Sequence, residues 1–174
     1  MRALKTITFV YKRREDRILA AINFGKPEAW SCWLTRRLVL LLLDRAAHLL
    51  ANTSSLARRA PVDVRSELVA FEHEAAIAET AEAMSPTPSE VLKTSDAVAE
   101  LVERLTISAR GEYFQVELRG ETGDGAAASV KRAELQRILQ MLQTEVAKGD
   151  WLGLTHKPPA APANEEAPPK PARH

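Results

Sequence analysis

The sequence has little of the material from which several classes of protein are built. It has a single cysteine, Cys32, among 174 residues, which excludes an internal disulfide framework. Only 7 glycines occur, and the Gly-rich segment 120–125 lacks the Gly-Lys-Ser/Thr ending that a phosphate-binding loop requires. These absences argue against disulfide-stabilised secreted domains and against nucleotide-binding loops.

Long apolar runs are also missing. The most apolar run, 38–43, lies within a segment that is interrupted by ionisable side chains. A membrane span needs about 20 apolar residues, so we expect a buried helix here and no membrane partner. The first twenty residues contain the charged run 12–16 and do not have the pattern of a signal peptide. Together with the lone cysteine, these features predict a cytoplasmic protein, and the Ala- and Arg-rich composition indicates a bacterial one.

The formal net charge of +1 hides a strong asymmetry along the chain. Residues 1–60 hold 12 Lys and Arg against 4 Asp and Glu, whereas residues 61–130 hold 5 against 14. Two interpretations are open. The basic and acidic segments neutralise each other within the fold, or the basic segment forms a surface that attracts an anionic partner.

Hydrophobic periodicity predicts the same elements in each half of the chain. In the first half, alternation predicts strands over 4–11 and 17–24, and the apolar stretch 29–34 has the length of a third strand. Thr35 offers an N-cap to a helix that extends to about residue 51. The apolar positions of this helix follow helical spacing: Val39, Leu42, Leu43, Ala46, Leu49 and Leu50.

After a central segment with a helical stripe at Val64, Leu68 and Phe71, strand character returns. Alternation predicts strands over 105–109 and 114–118 and a short strand over 126–130. A helix over 132–148 follows, and Gly149 is a typical C′ residue after it.

A shift of 96 residues places the stripe of the first helix, beginning at Val39, on that of the second, beginning at Leu135. The predicted fold class is therefore α+β, with two βββα-like units over about 3–52 and 103–150 and a central helical linker over about 61–100. One domain is expected over 1–152, and 153–174, with six prolines, is predicted to be a disordered tail. The two units are either an internal duplication or unrelated segments that share only a hydrophobic pattern.

In topology this arrangement resembles the doubled sheet-plus-helix repeats of the PUR and Whirly nucleic-acid-binding proteins. Those families have four-stranded sheets in each repeat, and none of their motifs occurs here. The resemblance implies nucleic acid as an alternative partner. It is carried by the patterns Ile7-x-Phe9-x-Tyr11 with Val39-x-x-Leu42-Leu43 and Leu105-x-Ile107 with Leu135-x-x-Ile138-Leu139.

No set of residues has the spacing of a catalytic or metal site. Cys32, between Trp30 and Trp33, is expected to be a small buried apolar residue. The triplet around His73 lacks the second histidine of a zinc-binding helix. We therefore expect no enzymatic activity, no cofactor, no metal and no small-molecule substrate.

The basic residues are the feature with binding potential. Arg36 lies near the buried stripe of its helix, so we expect its guanidinium to pair with a carboxylate or a carbonyl, and Arg132 to do the same. The partner of these helix starts is internal, such as Glu72 or Glu74, or an external phosphate or acidic protein. The residues expected to bind an anionic partner lie at a hairpin turn and at the two helix starts: Lys12, Arg13, Arg14, Arg17, Arg37 and Lys131.

Two functions follow from these features. The first is a non-enzymatic protein-interaction module, an oligomer or a subunit of a larger bacterial assembly, whose partner is a protein or a second copy. The alternative is a nucleic-acid-binding module of the doubled sheet-plus-helix type, which uses the basic hairpin turn and helix start.

Overall fold

The structure, a computed structural model, describes residues 1–54, 59–64, 67–68, 70–72, 74–75 and 99–153. The predicted tail 153–174, apart from its first residue, and most of the predicted linker lie outside these residues. The described elements are β1 (Arg2–Ala3), β2 (Ile7–Lys12), β3 (Arg17–Ile22), β4 (Trp30–Thr35), α1 (Arg36–Thr53), a 3-10 turn (Val62–Val64), β5 (Glu100–Arg110), β6 (Tyr113–Gly120), β7 (Gly125–Lys131) and α2 (Arg132–Lys148).

The mixed α/β character is confirmed. The first predicted strand, 4–11, begins at Ile7 instead, and the short strand β1 before it was not predicted. The two predicted hairpins, β2–β3 and β5–β6, are antiparallel and belong to one seven-stranded sheet. Thr35 caps α1 as expected, because its hydroxyl accepts a hydrogen bond from the N–H of Leu38 at 3.3 Å. The second half-unit begins earlier than predicted, since β5 starts at Glu100 rather than near residue 103.

The sheet is curled so that its two outermost strands approach each other. The strand order is β1-β7-β6-β5-β4-β3-β2, so β1 and β2 would lie about 29 Å apart in a flat sheet, at about 4.8 Å per spacing. Residues 4–6 alone connect them, and four extended steps span at most about 14 Å. The chain therefore joins the two edges of the sheet.

This curled sheet has two junctions at which strands of different halves meet. At one, β4 pairs with β5 in parallel through Cys32–Glu100 and Trp33–Leu101. At the other, β7 pairs with β1 in parallel, again through two residue pairs. A shift of 98 residues places Arg2 on Glu100, so β1 and β2 together occupy the place that continuous β5 has in the second half.

One helix lies along each junction, against strands of both halves. Helix α1 packs against β5 and β4, and α2 packs chiefly against β2, with further contacts to β7 and β6. The buried stripes of the two helices, with Val39 and Leu50 on α1 and Leu135 and Leu142 on α2, join the strands in one apolar core. Neither described helix has the length and apolar character needed to cross a membrane.

Three predictions at single positions are wrong for local reasons. Strand β3 ends at Ile22, not residue 24, because Asn23 adopts a φ of 52° and turns the chain. Phe71 is 65% exposed rather than part of a buried stripe. Gly149 ends α2 with a right-handed φ of −86°, and the left-handed residue is Asp150.

The surroundings of Gly149, rather than its φ, require a glycine. A Cβ at this position would lie 2.7 Å from Trp151 Nε1 and 2.9 Å from Tyr11 Cε2. Both distances are shorter than non-bonded contacts allow. The absent side chain therefore lets the end of α2 approach β2 closely.

Candidate interaction surfaces

Five of the six predicted binding residues lie together at one rim of the sheet. Strands β2, β4, β5 and β7 are mutually parallel, so they all end at this rim. Arg17 pairs with Thr35 across β3 and β4, which brings the β2–β3 turn to the start of α1. We call this surface the basic rim and define it as Lys12, Arg13, Arg14, Arg17 and Arg37.

The sixth residue, Lys131, ends β7 and is exposed. It belongs to the same rim of the sheet. On one side β5 and β6 separate β7 from β4, and on the other side α2 packs against both β7 and β2. The backbone N–H of Lys131 donates to Glu134 Oε2 at 2.7 Å as part of a capping box. Lys131 is therefore placed beside its own helix start rather than with the five residues of the basic rim.

The exposed arginines of the basic rim have no ion-pair partner among the described residues, whether Arg13, Arg14, Arg17 or Arg37. The nearby carboxylate of Asp16 is already engaged. It accepts hydrogen bonds from Tyr11 Oη at 3.0 Å and from Trp151 Nε1 at 2.7 Å.

The two arginines that start the helices are structural, as expected. Arg36 Nη2 donates to the carbonyl of Trp151, just beyond α2, at 2.9 Å. Arg132 Nη1 donates to the carbonyl of Leu50, in the last turn of α1, at 3.2 Å. Each arginine therefore donates to a carbonyl at, or just beyond, the end of the other helix.

Arg132 has further partners that Arg36 lacks. Its Nη2 donates to Thr53 Oγ1 at 2.8 Å, and its guanidinium lies 5.5 Å from the centre of the Phe114 ring. Glu72 lies 3.7 Å from Arg132 Nη1 and accepts a hydrogen bond from Ser54. The predicted internal role of Glu72 is thus found, but its partner is Arg132 and not the start of α1.

A groove of about 270 Å³ separates α1 from β5. Leucine side chains of α1 line one side, and Leu105, Thr106 and Ile107 of β5 line the other. Leu41, which also lines the groove, is 44% exposed. Arg45 is the charged residue among the described lining residues, so the groove is apolar with one cation. The sequence predicted the leucine stripe as core and gave no signal of this groove.

A second cavity, of about 640 Å³, lies at the opposite rim beside Trp30. Arg2 Nη2 bonds Asp124 at 3.0 Å, and its guanidinium lies 5.9 Å from the Trp30 ring centre. Glu100 accepts from Trp30 Nε1 at 3.2 Å and from Thr122. Arg2 Nη1 is buried without a hydrogen-bond partner. The charges here pair with one another beside the β4–β5 junction.

Cys32 is fully buried in the core, and burial, reinforced by the charge of Glu100, raises the pKa of its thiol. Among the described residues, no cluster of three His, Cys, Asp or Glu could hold a metal ion. The side chain of His73 lies outside the described part. No known protein family, curated protein or solved structure matches this chain.

Proposed function

We propose that the chain is a non-enzymatic protein-interaction module, a subunit of a larger bacterial assembly, whose binding surface is the groove between α1 and β5. The observation that carries this proposal is a groove lined by leucines of α1, whereas the apolar stripe of α2 is buried in the core. An accessible apolar groove is a typical docking site for a partner segment.

Site-specific photo-crosslinking in cells tests this proposal. A photoreactive phenylalanine analogue at Leu41, in the groove, should form an adduct with a defined protein. The matched control is the same analogue at Leu152, which is 56% exposed and lies outside the groove. Equal crosslinking at both positions, or none at Leu41, would contradict the proposal.

Nucleic-acid binding is the second candidate, and the clustering of the basic rim favours it. Unpaired arginines beside a helix start suit phosphate groups. The affinity for nucleic acid should fall steeply as the salt concentration rises. Each variant that removes a phosphate contact should reduce the slope of log affinity against log salt concentration by about one. Arg13→Ala and Arg37→Ala are the informative variants, and Lys26→Ala, at the opposite rim, is the control. A salt-independent affinity would contradict this candidate.

We infer further that the two βββα units descend from an internal duplication. Both units have the same order of elements, equivalent junctions and reciprocal arginines at their helix starts. The β5 irregularity between Val102 and Arg104 falls at the position where residues 4–6 interrupt the first half. Detectable similarity between the halves in homologous sequences would test this inference.

A further inference from the structure

Strand β5 has an edge with unused backbone hydrogen-bonding groups. Arg110 and Tyr113 close the two-residue turn to β6, and such a closing pair is hydrogen-bonded. Because bonding alternates along an antiparallel ladder, Leu105, Ile107 and Ala109 direct their N–H and C=O groups away from β6. Strand β4 pairs only as far as Leu101, and no described residue bonds these groups.

The groove runs along this edge rather than across one face of the sheet. Successive residues of a strand point to opposite faces, yet Leu105, Thr106 and Ile107 all line the groove. A cavity can meet three successive residues in this way when it follows the backbone edge. Its other side is formed by α1, so the space lies between a strand edge and a row of leucines.

The equivalent edge at the other junction is occupied. There, Tyr11 of β2 donates its backbone N–H to Glu145 Oε2 of α2 at 2.8 Å, and Glu145 is buried. A shift of 98 residues places Tyr11 on Ala109, and a shift of 96 places Leu49 on Glu145. Helix α1 thus presents a leucine where α2 presents a carboxylate, and the edge of β5 is left without an acceptor.

We propose that an extended segment of a partner protein adds to β5 as a β-strand, within the groove beside α1. This proposal rests on the proposed function and names the kind of partner. The segment bonds the backbone groups of Leu105, Ile107 and Ala109, and its alternate aliphatic side chains pack on the α1 leucines. An acidic side chain of the segment pairs with Arg45.

Charge complementarity favours an acidic partner over a second copy of this chain. Arg45 lines the groove, and no described carboxylate pairs with it. Beyond the junction, β5 itself carries Glu103, Arg104 and Arg110. A second copy paired through β5 would bring Arg45, Arg104 and Arg110 against Glu103, which is three cations against one anion. Like charges across paired strands are unfavourable.

Selection from a phage-displayed library of random 12-residue peptides tests the binding mode on the full chain. We expect the selected peptides to have alternating aliphatic residues, no central proline and one acidic residue. A synthetic copy of a selected peptide should slow hydrogen exchange at the amides of Leu105, Ile107 and Ala109 by about tenfold or more.

A charge exchange tests the role of Arg45. Arg45→Glu should lower the affinity for the acidic peptide by about tenfold. A peptide with Lys in place of its acidic residue should bind the Arg45→Glu variant with the original affinity. Lys26→Glu is the control with the same change of charge, because Lys26 is exposed and lies outside both the groove and the basic rim. It should leave the affinity unchanged.

Three results would overturn strand addition: selected peptides with only helical or proline-rich patterns, binding without protection of the β5 amides, or a dimer by light scattering whose formation protects those amides. The last result would make a second copy the occupant. If crosslinking at Leu41 succeeds while strand-like peptides fail, the proposed function stands and the strand mode is wrong. If both fail, neither stands.

Discussion

The two junctions of the curled sheet have the same topology but differ in how they are filled. Along β2, α2 supplies Glu145 to a backbone N–H, and Tyr11, Asp16 and Trp151 form a bonded cluster. Along β5, α1 supplies leucines and leaves a groove. The strands differ accordingly, since the first four residues of β2 are buried while six of the eleven residues of β5 are exposed. A repeated topology can therefore provide stability in one half and an open surface in the other.

The largest expected difference comes from matched truncations of Ile7 and Leu105, which a shift of 98 residues places on each other. Ile7 is buried in the core, so Ile7→Ala should cost about 3 kcal/mol of unfolding free energy. Leu105 is half-buried beside the groove, so Leu105→Ala should cost about 1 kcal/mol. Urea denaturation measures both, and equal losses would show that the two strands are equally well packed.

Substitution of the arginines at the helix starts by alanine should lower the free energy of unfolding by graded amounts. Arg132→Ala leaves the half-buried Glu72 without its cation and should cost about 2 kcal/mol. Arg36→Ala loses one hydrogen bond to a carbonyl and should cost about 1 kcal/mol. Arg37→Ala, the exposed neighbour, should cost less than about 0.5 kcal/mol. A loss for Arg37→Ala as large as that for Arg36→Ala in thermal unfolding would contradict these assignments.

Glu100, at the β4–β5 junction, should contribute a smaller, pH-dependent stability. Burial raises the pKa of Glu100, but hydrogen bonds from Thr122 and Trp30 outweigh it, so the net pKa is lowered. A carboxyl with a lowered folded-state pKa stabilises the fold above its unfolded value of about 4.3, and this contribution is lost as the pH falls further. In the Glu100→Gln variant, the free energy of unfolding should therefore fall less as the pH is lowered below about 4.3. An unchanged decline would show that Glu100 contributes nothing to it.

The last comparison measures how accessible two thiols are to a reagent. Burial raises the pKa of Cys32, so a thiol reagent should not modify it in the native protein at neutral pH. A cysteine introduced by Thr106→Cys, in a Cys32→Ala background, should react at about the rate of a free thiol because Thr106 is exposed. Slow modification at position 106 would mean that the edge of β5 is already covered.

The sequence predicted those elements whose determinants are local. Alternation located the hairpin strands, and a hydroxyl before a leucine stripe located the start of α1. The structural role of Arg36 followed from its place three residues before Val39, because that spacing returns to the same helix face. The apolar stripe that begins at Leu135 located α2, and the structural role of Arg132 was predicted from its place matching that of Arg36.

The features that depend on distant partners were not predictable in this way. The pairing of β1 with β7 joins residues that are more than a hundred positions apart, and two residues are too short for a periodic pattern. The turn at Asn23 depends on its side chain accepting from the N–H groups of Lys5 and Thr6. A signal for Glu145 did exist, since a carboxylate beside Val146 interrupts the apolar stripe of α2.

The joining of the two sheet edges also has a consequence for the order of folding. Residues 2–3 pair with 126–127, so the N-terminal strand leaves the ribosome long before its neighbour is synthesised. Until then β2 and β3 can pair with each other, while β1 has no strand partner. Contacts of such sequence separation slow folding. We expect the β1–β7 pairing to form late, after both hairpins, and to be the step that closes the core.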